Sequence, residues 1–162
     1  MAPKRMRGAP TVGTVQALRK APRGSGARVM SHVPLFAGLS ARDLRRVAAL
    51  AEEVWMAPGS VVVEAGTPGD AFYVILDGTV RVLRAGTGRT VRRLGPGDHF
   101  GELALLDGGP RTTTVVADTS LDAIQIRGKA FRQMLLAQPR VGLKIMAQLA
   151  GRIRECERQI TS

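Results

Sequence analysis

The sequence lacks a second cysteine, which excludes any disulfide within the chain. Its one cysteine, Cys156, lies in a polar stretch with helical spacing and has no neighbouring group of metal ligands, so we expect no metal site. The sequence also lacks the roughly 18 consecutive apolar residues of a membrane span and the apolar core of a secretory signal. We therefore expect a cytoplasmic protein without a membrane span.

Acidic residues are missing before Asp43, although the whole chain contains 13 of them against 24 basic residues. Residues 1–30 carry seven basic residues, which are Lys4, Arg5, Arg7, Arg19, Lys20, Arg23 and Arg28. Much of the net charge of +11 therefore lies at the N-terminus, and the rest of the chain is only mildly basic. An organelle transit peptide is a weaker interpretation, because Pro3, Pro10 and Pro22 interrupt any sustained amphipathic helix.

Residues 1–30 mix proline, glycine and basic residues without hydrophobic periodicity. Such a segment cannot bury enough apolar surface to offset the entropy lost on ordering. We predict a basic, disordered tail over residues 1–30 and one folded domain over 31–162. The tail could be a solvated arm or could bind polyanions weakly by releasing their counterions.

Aromatic residues are scarce, at 4%, whereas glycine is abundant, with 19 residues in 162. Short runs rich in β-branched residues alternate with glycine-containing turns, which is typical of a turn-rich β fold. The predicted strands cover residues 61–64, 71–77, 79–84, 90–94, 113–117 and 121–126. We predict a mainly β fold with flanking helices (α+β), a double-stranded β-helix or jelly-roll-like β-roll over about residues 54–127.

Helical spacing appears on both sides of the predicted roll. Ser40 can cap a helix that carries Leu44, Val47 and Leu50, and Pro58 would end it. After the roll, C-terminal helices are expected over about 128–160, with a break at Pro139 before a long final helix.

The stretch after residue 99 carries the candidate chemistry. One helical turn over residues 103–106 would direct free amide hydrogens at an anion. Arg111, just beyond a glycine break, can offer its guanidinium fork to the same phosphate. A phosphate would repel Glu102 unless that carboxylate faced hydroxyl donors such as a ribose 2′-OH, while Thr112 and Thr113 add hydroxyl groups.

The sequence here resembles the cyclic nucleotide-binding domain family of catabolite activator proteins, kinase regulatory subunits and gated channels. Residues 100–106 read Phe-Gly-Glu-Leu-Ala-Leu-Leu and are followed by Pro-Arg-Thr at 110–112, similar to the family's phosphate-binding cassette. Residues 64–80 resemble its glycine-punctuated β-roll signature, and the match covers about residues 33–156.

The resemblance implies a role for each matching position. Glu102 would bind the ribose 2′-hydroxyl and Arg111 the cyclic phosphate, and Thr112 would approach phosphate or base. Backbone contacts would come from Gly101, Leu103 and Ala104.

The final helix commonly closes over the base in this family, which makes Arg152, Ile153 and Cys156 candidate lid residues. Catabolite activators usually place hydroxyl side chains at about the position of Cys156 and Glu157, so the family's base contact is not carried over. Cyclic AMP is the preferred ligand, and cyclic GMP stays open. No cofactor is expected.

Several residues in this region also have simpler interpretations. Glu102 and Arg111 could form an internal salt bridge, and the threonines could simply reflect strand propensity. His99 lacks a nucleophile or a second metal ligand, so we expect a packing or surface histidine. The nearby carboxylates have no evident metal or positioned water for hydrolysis, so we expect a binding protein and not an enzyme.

The final helix carries a stripe with spacings of three and four, which includes Leu143, Met146, Ile153 and Ile160. This stripe could form a homodimer interface or pack on the roll. The sequence ends at Ser162 without a helix-turn-helix, so we expect no sequence-specific DNA binding and an output through an unidentified effector protein. The alternative is an interaction or structural module with a degenerate pocket.

Overall fold

The computed structural model describes residues 25–161, so most of the predicted basic tail lies outside the described residues. The described end of that tail, Ser25–Met30, forms helix α1. Met30 is only 1% exposed and packs in a core with Phe36 and Val47. The described helix α1 therefore lies before the predicted domain boundary at residue 31.

Eight strands form two four-stranded antiparallel sheets, which confirms the predicted β-roll flanked by helices. The strands are β1 Glu52–Met56, β2 Val61–Val63, β3 Ala71–Asp77, β4 Val80–Arg84, β5 Thr90–Leu94, β6 His99–Phe100, β7 Thr113–Ala117 and β8 Leu121–Arg127. The first sheet has the order β1-β8-β3-β6 and the second the order β2-β7-β4-β5. Side chains from both sheets, including Val54, Ile75, Val82 and Leu121, share one buried cluster inside the roll.

The helices pack mainly against the outer face of the first sheet. They are α2 Ala41–Ala49, α3 Glu102–Asp107, α4 Gly128–Ala137 and α5 Pro139–Thr161, together with α1 and a 3₁₀ turn at Pro34–Phe36. Phe131 and Met134 of α4 and Ile145 of α5 are buried in this second core with Phe72 and Val74 of β3. None of the helices within residues 25–161 is both long and apolar enough to cross a membrane.

Strand β3 explains how one short segment serves both cores. Successive side chains of a strand point to opposite faces. Tyr73 and Ile75 accordingly lie inside the roll, while Phe72 and Val74 lie among the helices. The apolar run that predicted this strand is therefore continuous because both of its faces are covered.

The sequence did not predict β1 and β6. The helix expected to continue towards Pro58 ends at Ala49, and β1 follows it. Val54 and Met56 are buried two residues apart because β1 pairs with β8, a partner about 70 residues away along the chain. β6 has only two residues, too few to show a periodic pattern, and it is defined by its pairing with β3.

We expect Phe131→Ala to lower the free energy of unfolding by about 3–5 kcal/mol, because it leaves a cavity in the helical core. The Phe131 ring is 2% exposed, and its centroid lies 4.9 Å from that of Phe72. The matched control is Leu136→Ala on the same helix, where the side chain is 78% exposed. Urea unfolding measures both variants, and equal losses would contradict this packing of α4.

Candidate functional site

A cavity of about 90 Å³ opens between the second sheet, α3 and α5. Its wall brings together every residue of the predicted binding segment, namely Gly101, Glu102, Leu103, Ala104, Arg111, Thr112 and Thr113. Apolar side chains of Val63, Val82 and Phe100 complete part of the lining. Residues that are adjacent in sequence around α3 thus face the same space as strands β2, β4 and β7.

Arg111 is held in this wall by backbone oxygens. Its Nη1 donates to the Gly101 carbonyl at 3.1 Å and its Nη2 to the Ala71 carbonyl at 2.8 Å. Its side chain is only 4% exposed, and its charged partner is Asp70, at 3.4 Å, whose side chain is 73% exposed. A buried guanidinium whose carboxylate partner is largely solvated retains attraction for an additional anion.

Gly101 allows this position of Arg111. It precedes α3 with φ +95°, in the left-handed region that favours glycine. A Cβ atom at Gly101 would lie 2.7 Å from Nη1 of Arg111 and 2.8 Å from the Ala71 carbonyl oxygen. The glycine therefore serves both the turn into α3 and the close approach of the guanidinium.

The loops on either side of the cavity hold one another. The backbone N–H of Arg111 donates to the Thr67 carbonyl and the N–H of Gly66 donates to the Arg111 carbonyl, each at 2.8 Å. Gly69 lies so close to α3 that a Cβ there would meet the Cβ of Ala104 at 2.3 Å. The block at residues 64–80, which resembles the roll signature, therefore also positions the binding segment.

Glu102 is a buried carboxylate, 1% exposed, on the first turn of α3. Its Oε1 accepts a hydrogen bond from Nη1 of Arg152 at 2.9 Å, and its Oε2 lies 3.5 Å from Nδ1 of His99. Burial raises the pKa of Glu102, but His99, a backbone amide and Arg152 outweigh burial and hold that pKa below its ordinary value. Glu102 is therefore ionised at neutral pH and can accept hydrogen bonds.

The observed ion pairs differ from the Glu102–Arg111 salt bridge that the sequence left open. Glu102 pairs with Arg152 of α5, while Arg111 pairs with Asp70. The two predicted ligand residues thus face the same cavity without neutralising each other. His99 is a packing histidine, 2% exposed, whose ring lies 5.3 Å from that of Phe72.

Of the three lid candidates, only Arg152 lines the cavity. Ile153 is 59% exposed and Cys156 is also exposed, and neither belongs to the cavity wall. Helical spacing explains the direction of Ile153, because residues next to each other on a helix point about 100° apart, whereas Cys156 lies on the side of Arg152 but one turn further along α5.

Arg92 of β5 is a cavity residue that the sequence analysis missed. Burial, followed by the like charge of Arg152, lowers the pKa of Arg92, and Glu102 opposes that change. The sequence did contain a signal that Arg92 faces inwards, since the alternation of strand faces places it on the same side as the buried Leu94. The cavity thus combines three arginines with one buried carboxylate, which favours an anionic ligand.

We expect Gly101→Ala to destabilise the protein more than Gly86→Ala. Both glycines have positive φ, so each substitution costs about 1–2 kcal/mol for the left-handed backbone. Only the Cβ at position 101 would also displace Arg111, because nothing lies within 4 Å of a Cβ at position 86. Equal shifts of the urea midpoint in the two variants would show that Gly101 serves the turn alone.

Comparison with known proteins identifies the family. The family model for the cyclic nucleotide-binding domain matches residues 53–138, more than half of the chain. The cAMP-dependent protein kinase regulatory subunit of Pyricularia oryzae is 34% identical over 106 residues, which cover 65% of this chain and 27% of that protein. The CRP-like cAMP-activated global transcriptional regulator of Mycobacterium tuberculosis is 30% identical over 129 residues, covering 78% of this chain and 58% of that protein.

The fold comparison agrees with the sequence comparison. The crystal structure of the Thermus thermophilus catabolite activator protein superposes with a TM-score of 0.72 at 30% identity, covering 78% of this chain and 61% of that one. The chain therefore spans about a quarter of the fungal kinase subunit and roughly three-fifths of the two bacterial proteins. With the cavity, the cassette-like segment and the roll all in agreement, the chain belongs to the cyclic nucleotide-binding domain family.

Proposed function

We propose that the chain is a regulatory module that binds a cyclic nucleotide, with cyclic AMP preferred and cyclic GMP as the second candidate, in the cavity beside α3. The observation that carries this proposal is the presence of buried Arg111 and ionised Glu102 in one wall without a bond between them. The first can attract a phosphate, and the second can accept from a sugar hydroxyl. The names of the fungal and mycobacterial relatives, both of which mention cAMP, support the preferred ligand.

The ligand contacts follow from the arrangement of the wall. Arg111 would pair with the cyclic phosphate, with help from the backbone of Gly101, Leu103 and Ala104 and from the hydroxyl groups of Thr112 and Thr113. Glu102 would accept a hydrogen bond from the ribose 2′-hydroxyl. These interactions bind and orient a ligand, and we assign no catalytic step to them.

The cavity must enlarge to accept this ligand. Ligand pockets usually measure about 300–1,000 Å³, whereas this cavity measures about 90 Å³ and Arg152 forms part of its wall. The carboxylate oxygen that Arg152 contacts is also an acceptor for the ribose hydroxyl. Ligand and Arg152 would therefore compete for Glu102, so that binding shifts the position of α5.

The two halves of helix α5 differ in burial, which would allow such a shift. Val141 and Ile145, in its first half, are buried in the helical core. Between Gly151 and Thr161, every side chain except that of Arg152 is exposed. We propose that the first half anchors α5 while the second half moves between open and lid-closed states and signals to an effector protein or a second copy of the chain.

The exposed stripe of α5 favours a second copy as one partner. Leu143, Met146, Ile153 and Ile160 are 61%, 56%, 59% and 81% exposed, and their spacing follows the a and d positions of a heptad repeat. Arg152 lies on the face turned to the cavity, so pairing through this stripe would leave the ligand site accessible. We propose a homodimer formed through this stripe of α5.

We expect Arg111→Ala to weaken cyclic AMP binding by about 10- to 100-fold, because a hydrogen bond to a charged group contributes about 1.5–3 kcal/mol. Arg111→Lys should also bind more weakly, since an ammonium cannot form the two-pronged contact. Arg84→Ala, at an exposed position on β4, is the matched control and should bind as the original chain does. Calorimetric titration with cyclic AMP and cyclic GMP provides the affinities, and circular dichroism checks the fold.

Two outcomes of this titration would change the proposal. Unchanged affinity in folded Arg111→Ala would remove Arg111 from the phosphate contact. Failure of the original chain to bind either nucleotide would reject the proposed ligand and favour an interaction module with a degenerate pocket.

We expect Ile153→Asp to shift the chain from dimer to monomer, because a charge at a d position cannot be buried in a helical seam. Gln148→Asp is the control, since this exposed residue lies on α5 outside the stripe. Sedimentation equilibrium of both variants and the original chain measures the mass. A monomeric original chain at all concentrations would contradict the dimer and leave the ligand proposal intact.

A further inference from the structure

His99 is a buried histidine whose ring nitrogens both lack hydrogen bonds among the described residues. Its side chain is 1% exposed, and β6 holds it opposite Val74 of β3. The Phe72 ring packs against the imidazole at a centroid distance of 5.3 Å. Buried polar groups are nearly always hydrogen-bonded, so this histidine requires an explanation.

The imidazole faces the carboxylate that forms part of the cavity wall. Nδ1 of His99 lies 3.5 Å from Oε2 of Glu102, and Oε2 is itself buried without a hydrogen bond. A shift of about 0.5 Å would bring the two atoms to hydrogen-bonding distance. Two unpartnered buried atoms of complementary character therefore face each other behind the cavity.

The two carboxylate oxygens of Glu102 face different partners, and these partners differ in how firmly the fold holds them. Oε1 contacts Arg152, whose side chain is 29% exposed on the half of α5 that lies away from the core. Oε2 faces His99, which is fixed between a strand pairing and an aromatic ring. Oε1 can therefore exchange its partner, whereas Oε2 cannot.

We infer that His99 is a positioning residue for ligand binding: its Nδ1–H holds Oε2 of Glu102 so that Oε1 is presented to the ligand when Arg152 leaves. This inference rests on the proposed function, in which Glu102 accepts from a ribose hydroxyl. His99 does not touch the ligand but sets the orientation and charge of the group that does. It is also the largest contributor among the groups that lower the pKa of Glu102 against the effect of burial.

The surroundings of the pair leave His99 facing Oε2. Arg152 of α5 contacts the other oxygen, Oε1, and Arg92 of β5 lines the same cavity. On the side of β3, the imidazole meets the apolar Phe72 and Val74. His99 is thus the polar side chain that faces Oε2.

The test compares His99→Phe and His99→Asn. Phenylalanine keeps the ring against Phe72 but has no donor, whereas asparagine places an uncharged N–H near the position of Nδ1. Because a hydrogen bond to a charged group contributes about 1.5–3 kcal/mol, we expect His99→Phe to bind cyclic AMP about 10-fold or more weakly. His99→Asn should retain most of the affinity. His32→Asn is the control, because His32 is the other histidine of the chain and is exposed.

A second measurement does not need the ligand. Carbon NMR of the glutamate carboxyl groups in the ligand-free protein should show that His99→Phe raises the pKa of Glu102, because burial then acts without the opposing imidazole. His99→Asn should restore part of the decrease. If His99→Phe fails to fold, the carboxyl titration of His99→Asn decides, because the pKa of Glu102 should then lie above that of the original chain.

The outcomes separate this inference from the proposed function. Binding of cyclic AMP with equal affinity in the original chain and both His99 variants would overturn the positioning role and leave the proposed function standing. An original chain that binds no cyclic nucleotide, but whose Glu102 titration responds to His99→Phe, would overturn the proposed function and with it the role of His99 in binding.

Discussion

The burial of β3 on both faces is the constraint on which the cavity depends. One face packs inside the roll and the other against α4 and the first half of α5. The carbonyl of Ala71, at the start of this strand, accepts the hydrogen bond that holds Arg111 in the cavity wall. A strand enclosed by two cores moves little, because interiors are close-packed, so the guanidinium is held in place before any ligand arrives.

The electrostatics of the cavity follow from how its charges are shared. Backbone carbonyls hold Arg111, while the buried carboxylate of Glu102 pairs with an arginine from another element. Each charge therefore has a partner within the protein without neutralising the other, which limits the large cost of a buried and unpaired charge. The same ion pair links ligand binding to α5, because Arg152, the partner of Glu102, comes from that helix.

Much of the fold could be predicted because its signals are local. The run at 71–77 is apolar up to Asp77, the run at 121–126 is rich in apolar residues, and the glycines between strands marked the turns. β1 could not be predicted, since the alternation of Val54 and Met56 is too short to indicate a strand by itself. The strand is defined by its pairing with β8. The seven predicted ligand residues do line one cavity, whereas Arg92 and His99 became relevant only when the roll brought β5 and β6 beside α3.

The sequence by itself determined the class of fold and the chemistry of the binding segment, because turn residues, strand periodicity and the glycine-to-arginine spacing are properties of neighbouring residues. Only the tertiary structure decided which charges pair. Arg152 is 50 residues away from Glu102 along the chain, and the sequence alone left open a bond between Glu102 and Arg111 as an alternative. Ion pairing depends on distance and burial, both of which arise only when α5 packs beside the roll.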